Sequence, residues 1–413
     1  MNNLKKEDYK ICIVGLGYVG LPLAARFSLK GFDLTGFDIN EERINQLLNK
    51  IDANNDIADT SLDTLVKNSK LTSNINEIKE SNVFIITVPT PINEDKTPDL
   101  EPLITSSKLV GSIIKKGSIV IYESTVYPGV TDEICTPILE EKSSLIFNKD
   151  FSTGYSPERI VPGDKVNTIE RIKKVVSASN QETLKIISFV YSSIIDAGIH
   201  EAPSIKIAEA AKVTENIQRD VNIALINEMH QLYTSIGINT NDVIEAAATK
   251  WNFMKLTPGM VGGHCISIDP YYLMHKSEMS GYTPNIMRAS RKINDEKPYW
   301  VINKVKSCIK NYIFENPNKS FSDITISCYG LSFKANIDDF RESPSLFIAE
   351  QLMDLKLKKM MIVEPYLKEL PITLSGSELT SFEAASKAQI HLLLVDHNEF
   401  KDRKPKKGLI IDT

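Results

Sequence analysis

The stretch "KICIVGLGYVGLPLAARFSLKG", residues 10–31, decides how the front of the chain folds. Ile11 to Val14 form a short apolar run with the look of a buried strand. Glycines follow at 15, 17 and 20, in the pattern G-x-G-x-x-G. Leu21, Leu23, Ala24 and Phe27 then recur at helical spacing, with Pro22 in the first turn, where a missing N–H costs little. In such a strand–turn–helix unit one glycine makes the tight turn and one lets the backbone approach a pyrophosphate. The third lets helix and strand pack closely, while the helix N-terminus faces the anion. Gly15, Gly17, Tyr18, Val19 and Gly20 are therefore the candidate pyrophosphate loop. A second strand, "DLTGFDIN" (33–40), carries Asp38 at the spacing of roughly 20 residues expected for a ribose ligand. A carboxylate there accepts hydrogen bonds from a 2′-hydroxyl and repels a 2′-phosphate, so the pattern favours NAD over NADP. Arg43 is placed either beside the adenosine or on the solvated face of the next helix.

Apolar runs continue at 82–88, 118–124 and 173–179, which predicts a parallel sheet with crossover helices. Ligands of such sheets bind beyond the carboxyl ends of the strands. That brings "PTP" (89–91, with Thr90), "ESTVYPG" (123–129, with Thr125) and "GYSPERI" (154–160, with Glu158 and Arg159) to the mouth of one cleft. Each segment also has a plainer reading as an ordinary Pro/Gly loop. From about 203 the period changes to helical for some 35 residues with almost no breakers. Ile205, Ala208, Ala211, Val213, Ile217, Val221, Ala224, Leu225 and Met229 form its apolar stripe, and Gly237 ends it. A helix this long bridges two domains or pairs with a copy of itself. More helix follows to about 313, and strand-type runs return at 323–333, 358–365, 388–396 and 408–413. The expectation is an α/β protein of two Rossmann-like parallel-sheet domains joined by a helical connector: 1–200, 201–315 and 316–413.

Composition narrows the function classes. The 413 residues are 42% hydrophobic with a formal net charge of −5, which offers no footprint for nucleic acid. The longest apolar runs are far too short for a membrane span, and the start lacks an apolar secretory core. Five scattered cysteines (12, 135, 265, 308 and 328) show neither CxxC nor Cys/His spacing. They point to a reducing, cytoplasmic location without a structural metal. Cys265, in "GGHCISIDPYYL", is a small buried hydrophobe or a nucleophile; only partners from elsewhere in the fold make it the second.

Six segments then agree in order and spacing: "GLGYVGLPLA", "ESTVYPG", "GYSPERI", "AEAAKVTENIQRDVNIALINE", "GGHCISIDPYYL" and "GLSFKANIDDFRES". Over essentially its whole length the chain resembles the UDP-glucose/GDP-mannose dehydrogenase family, and within it the branch acting on UDP-N-acetylglucosamine in capsule and O-antigen synthesis. The resemblance implies four-electron oxidation of a sugar CH₂OH to a carboxylate with two NAD per sugar, through a cysteine adduct. It implies Cys265 as nucleophile, Asp269 as base, and Lys212 with Asn216 as donors to the developing oxyanion. Thr125 and Glu158 position water and assist proton transfer. By the same resemblance Glu158, Lys212, Asn216, Gly263 and Lys334 are expected to contact the sugar and Arg341 to reach the cofactor, while Arg159, which replaces an aromatic of the UDP-glucose enzymes, is a further candidate for the sugar. On position alone, Lys212 also reads as a surface lysine paired with Glu209 or Glu215. His264, beside Cys265, is left out, because neighbouring side chains rarely face one another. The last domain is expected to bind UDP, and the long helix to build a homodimer.

One departure bears on the substrate. The UDP-glucose enzymes carry a second glutamate four positions after the first, in "PEFLxEG". Here the segment is "PERIVPG", with Pro162 at that place, and proline does no acid–base work. This favours an N-acetylhexosamine, with the galacto and manno epimers and UDP-glucose as alternatives. A two-electron hydroxyacid dehydrogenase would need no "GGHC" loop. A non-catalytic NAD or nucleotide-sugar binding protein would need no Cys, Lys, Asn and Asp set.

Overall fold

The computed structural model describes residues 4–53, 56–160, 167–263, 265–405 and 407–413. The chain divides into two compact units, one of residues 1–215 with 271–282, the other of 216–270 with 283–413.

The first unit is built on an eight-stranded sheet: β1 (Lys10–Val14), β2 (Asp33–Phe37), β3 (Lys70–Thr72), β4 (Val83–Ile86), β5 (Ser118–Tyr122), β6 (Phe151–Tyr155), β7 (Lys174–Ala178) and β8 (Ile199–Glu201). Their order in space is 3-2-1-4-5-6-7-8, so the order reverses between β1 and β4. β4 and β5 are buried along their whole length, which is why they read as unbroken apolar runs rather than alternating ones. Ile11, Ile13, Leu21, Phe27, Ile85 and Ile121 belong to one core between sheet and helices. The sheet is parallel as expected apart from one pair. β6 and β7 pair antiparallel, through Gly154 with Ala178 and Tyr155 with Ser177. Mixed sheets of this kind are common among large doubly wound folds.

The second unit holds a five-stranded, all-parallel sheet of β9 (Thr325–Tyr329), β10 (Lys359–Val363), β11 (Glu378–Leu379), β12 (Ile390–Leu393) and β13 (Leu409–Asp412), in the order 11-10-9-12-13. It repeats the 3-2-1-4-5 arrangement of the first sheet, with β9 in the place of β1. The helix Asn285–Glu315 lays Val301, Ile302, Val305 and Ile309 into its core.

The long helix spans Ile205–Ser235, close to the expected limits. Its apolar residues do not share one fate. Ile205, Ala208, Val213 and Ala224 are buried, whereas Leu225 and Met229 are exposed, together with Leu232 and Ile236. The positions 225, 229, 232 and 236 lie at helical spacing along one line.

Candidate active site

The dinucleotide loop of the first unit behaves as the glycine pattern requires. Gly15 has φ +99°, a conformation that favours glycine, and its N–H donates to the Phe37 carbonyl at 2.8 Å. A Cβ on Gly20 would sit 1.8 Å from the Gly15 carbonyl oxygen, so helix and turn can approach only without one. A Cβ on Gly17 would meet nothing within 4 Å. That open face, ahead of the helix Gly20–Leu29, is where a pyrophosphate fits. Tyr18 and Val19 are half-buried in the same turn.

Asp38 follows β2. Its Oδ2 accepts from Leu16 N at 2.8 Å and its Oδ1 from Asn40 N at 2.9 Å, so two backbone donors fix the carboxylate. Leu16, Gly17, Asp38, Asn40 and Arg43 line a cavity of about 360 Å³. The polar donor set, the carboxylate and the room beside Gly17 suit the adenosine half of NAD. Arg43 is not the solvated residue that one reading allowed. It is only 9% exposed, its Nε donates to the Leu16 carbonyl at 3.1 Å, and its Nη2 pairs with Asp52 at 3.0 Å and Asp56 at 3.5 Å.

The loops after β4, β5 and β6 emerge at the same edge, because these strands are parallel and adjacent. Thr90 and Thr125 are half-buried there. The Ser124 hydroxyl donates to the Val88 carbonyl at 2.5 Å and ties two of the loops together. Glu158 Oε1 accepts from the N–H groups of Arg159 and Ile160, each at 2.5 Å, and Oε2 meets Lys174 Nζ at 3.2 Å. Arg159 extends its guanidinium to Glu215, 2.7 Å away, and to the Lys173 carbonyl. Lys212 is 7% exposed, which removes the surface-lysine reading. Glu209 and Glu215 have other partners: Glu209 accepts from Gly129 N at 2.6 Å and Thr131 N at 2.9 Å. Burial pushes the Glu209 carboxyl up to about 7 against these bonds.

In the second unit the cysteine loop leads into the helix Asp269–Met279. The Cys265 carbonyl accepts from Ile268 N at 3.2 Å and Asp269 N at 2.9 Å, which forms the turn before that helix. Cys265 is half-buried. Cys12, Cys135 and Cys328 are fully buried, and burial pushes their thiols up, the last two to about 12. Burial also raises the Cys308 thiol. Asp269, 2% exposed, accepts from Asn216 Nδ2 at 2.5 Å, so two of the expected site residues meet across the loop and the long helix.

Two glycines set how this loop sits. A Cβ on Gly262 would lie 2.5 Å from Pro344 Cδ and 2.7 Å from the Glu342 carbonyl oxygen. Gly263 has φ +76°, and its Cβ would lie 2.7 Å from the Phe333 ring. They permit a close approach to segment 333–344 as well as a tight turn. Asn227 pins the start of the loop, donating to the Gly259 carbonyl at 2.8 Å and accepting from Gly259 N at 3.1 Å. Asn227 in turn donates to Asn294, which donates to Asp220, and Asp220 pairs with Arg291 Nη1 at 2.5 Å. Sequence reasoning missed Asp220 and Asn227, although 216, 220 and 227 recur at helical spacing on the long helix.

Lys334 and Arg341 are exposed on the segment after β9. Arg341 binds Asp339 through Nε and Nη2, at 2.8 and 2.6 Å. The base of the Lys334 loop is fixed by Glu364, which accepts from Leu331 N at 2.6 Å, and by His397 Nδ1, which accepts from Asn336 N at 3.0 Å. Pro162 and His264 lie outside the described residues.

A glycine-turn dinucleotide site, a second Rossmann-like sheet and a half-buried cysteine beside an Asn–Asp pair define an NAD-dependent oxidoreductase of nucleotide sugars. The chain belongs to the UDP-glucose/GDP-mannose dehydrogenase family. The family's NAD-binding, central and UDP-binding domains match residues 9–195, 206–296 and 327–413. A UDP-N-acetyl-D-glucosamine 6-dehydrogenase of Pseudomonas aeruginosa is 46% identical over 402 residues, 96% of this chain and 92% of that protein. The protein CapL of Staphylococcus aureus is 44% identical over 95% of this chain and 91% of its own length. Among solved structures, a UDP-D-ManNAc dehydrogenase of Pyrococcus horikoshii superposes with a TM-score of 0.86 at 31% identity, covering 97% of this chain and 94% of that one. No helix among the described residues is long and apolar enough to cross a membrane.

Proposed function

We propose that the chain oxidises C6 of UDP-N-acetylglucosamine to the carboxylate for surface polysaccharide synthesis. The observation that carries this reading is the 46% identity, over nearly the full length, to an enzyme named for that substrate. The absence of a second glutamate at Pro162 supports it from the sequence. Gly15, Gly17 and Gly20 would hold NAD on the glycine turn, where it would supply the hydride acceptor for the two oxidations. The Cys265 thiolate adds to the aldehyde carbon left by the first, and the adduct oxygen becomes an oxyanion. Lys212 and Asn216 supply an ammonium and an amide N–H₂ to that oxyanion, and one preorganised donor is worth about 3 kcal/mol. Loss of the second hydride turns the adduct into a thioester. Water then splits it to carboxylate and thiol, with Asp269 taking a proton and Thr125 and Glu158 orienting the water. Asp38 and Arg43 hold the adenosine side, Tyr18, Val19, Thr90 and Arg341 border the cofactor, and Arg159, Gly263 and Lys334 border the sugar nucleotide. In this reading the chain works in three parts: 1–200 for NAD, 201–315 for the cysteine and pairing helix, and 316–413 for UDP.

The working form is a homodimer. Its support is the exposed line Leu225, Met229, Leu232 and Ile236 on the long helix, an apolar face of the kind a second copy covers. Light scattering at micromolar concentration is expected to give twice the chain mass, and a monomer would contradict it. A panel of UDP-N-acetylglucosamine, its galacto and manno epimers and UDP-glucose, scored by NADH formation, tests the substrate. The highest kcat/KM with UDP-glucose would refute the assignment.

A further inference from the structure

Behind Glu158 lies a charged cluster that none of the roles above uses. Lys174 opens β7 with its side chain 4% exposed. Its Nζ lies 2.7 Å from Glu123 Oε2, on a side chain with no exposure, and 3.2 Å from Glu158 Oε2. The Tyr191 hydroxyl closes the far side by donating to Glu123 Oε1, and the Tyr191 ring faces the ammonium at 5.5 Å. The other groups facing the cluster are already engaged: Arg159 with Glu215, and the Ser156 hydroxyl with the Val175 carbonyl. One ammonium thus serves two carboxylates in a buried pocket. Glu123 and Tyr191 already give Lys174 a buried anchor, and apolar residues in place of the Lys174–Glu123 pair would fill the same space at less desolvation cost. What the lysine adds is a second bond, outward to Glu158.

We propose that Lys174 is a positioning residue that clamps the Glu158 carboxylate in place, with Glu123 and Tyr191 as the buried anchor. This rests on the reading of Glu158 as a working carboxylate of the site. The geometry leaves Glu158 no freedom to turn: Oε2 is held from behind, and Oε1 by the N–H groups of Arg159 and Ile160. Burial and the neighbouring Glu158 charge push Glu123 up to about 7, the response expected where two carboxylates share one cation.

The test is the pH profile of kcat for NADH formation between pH 6 and 10, with UDP-N-acetylglucosamine, for wild type, Lys174→Met, Glu158→Gln and the double variant. Without the ammonium, the Glu158 and Glu123 carboxylates face one another with no cation between them. Lys174→Met is expected to move the acid limb up by one pH unit or more and to lower kcat on that limb by up to about tenfold per unit moved, with recovery to within about threefold of wild type at pH 9. In the Glu158→Gln background the same change is expected to cost less than twofold, because its route of action is gone. Equal losses in both backgrounds, or an unmoved limb, overturn the proposal while leaving Glu158 in place. A Glu158→Gln enzyme at wild-type rate instead removes the reading of Glu158 and the clamp with it. If Lys174→Met does not fold, as judged by gel filtration and NAD binding, Lys174→Gln keeps a donor and drops the charge. It must move the same limb, and failure of both variants to fold overturns the clamp in favour of a purely structural cluster.

Discussion

Gly263→Ala probes how the cysteine loop is held. The substitution adds one methyl at φ +76°, and that methyl would lie 2.7, 2.9 and 3.0 Å from three atoms of the Phe333 ring. Carbon atoms sit comfortably at about 3.5–4.0 Å, so ring or loop must give by roughly 1 Å. The left-handed backbone costs about 1–2 kcal/mol for a residue with a Cβ, and overpacking about 1–3 kcal/mol more. A loss of about 2–5 kcal/mol follows, a fall in Tm on the order of 10 °C for a unit of this size. The rate should suffer further, because Cys265 is two residues on and a displacement of about 1 Å at a reacting atom can cost about a hundredfold. Thermal melting and NADH formation measure the two effects. Adding Phe333→Leu removes the ring but not the backbone strain, so it should restore part of the stability and part of the rate. Gly263→Ala with wild-type Tm and kcat would refute this account of the loop.

Three further outcomes are expected elsewhere. Asp38→Ala should lower the ratio of kcat/KM with NAD to that with NADP at least tenfold, since the fixed carboxylate that repels a 2′-phosphate is gone; an unchanged ratio would count against Asp38 as the ribose ligand. Arg291→Met strands the buried Asp220 and should cost about 3–5 kcal/mol in urea unfolding. Asp220→Asn alongside it should recover more than half, and equal losses would mean the pair is uncoupled. Glu209 titrates at about 7 because burial raises it, so it takes up a proton on folding. Its contribution is complete below the unfolded value near 4.5 and is lost as pH rises towards 7. The stability of Glu209→Gln relative to wild type should therefore rise by on the order of 2 kcal/mol between pH 5 and 7.5, and a flat difference would contradict the shift.

The front of the fold was legible because its signals are local. The glycines at 15, 17 and 20 and the apolar run before them carry their meaning within one turn. The short strands β3, β6, β8 and β11 were not. "FSTGY" of β6 has neither an apolar run nor clean alternation, and it becomes a strand because β5 supplies its ladder. The antiparallel entry of β7 left no trace, since side-chain pattern does not encode strand direction. Nothing local in the sequence singles out Lys174, because its two partners stand 51 and 16 residues away. Arg43 was read partly as solvated for the same reason: Asp52 and Asp56, which bury it, belong to a loop with no periodicity. The residues expected around the cysteine were named only through family resemblance. The Asn216–Asp269 bond gives two of them a physical connection that spacing alone could not.

The central claim is that Cys265 carries the substrate between two oxidations, and the most direct measurement is NADH released per UDP-sugar consumed by Cys265→Ser. Serine is nearly the same size and leaves the glycine turn of the first unit untouched, so NAD binding should persist. Turnover to the acid should fall by at least about a thousandfold, the scale seen when a nucleophile is lost. A slow single oxidation or a trapped sugar adduct would agree with that. A Cys265→Ser enzyme that still yields two NADH per sugar near the wild-type rate would contradict the account and leave Cys265 a packing residue.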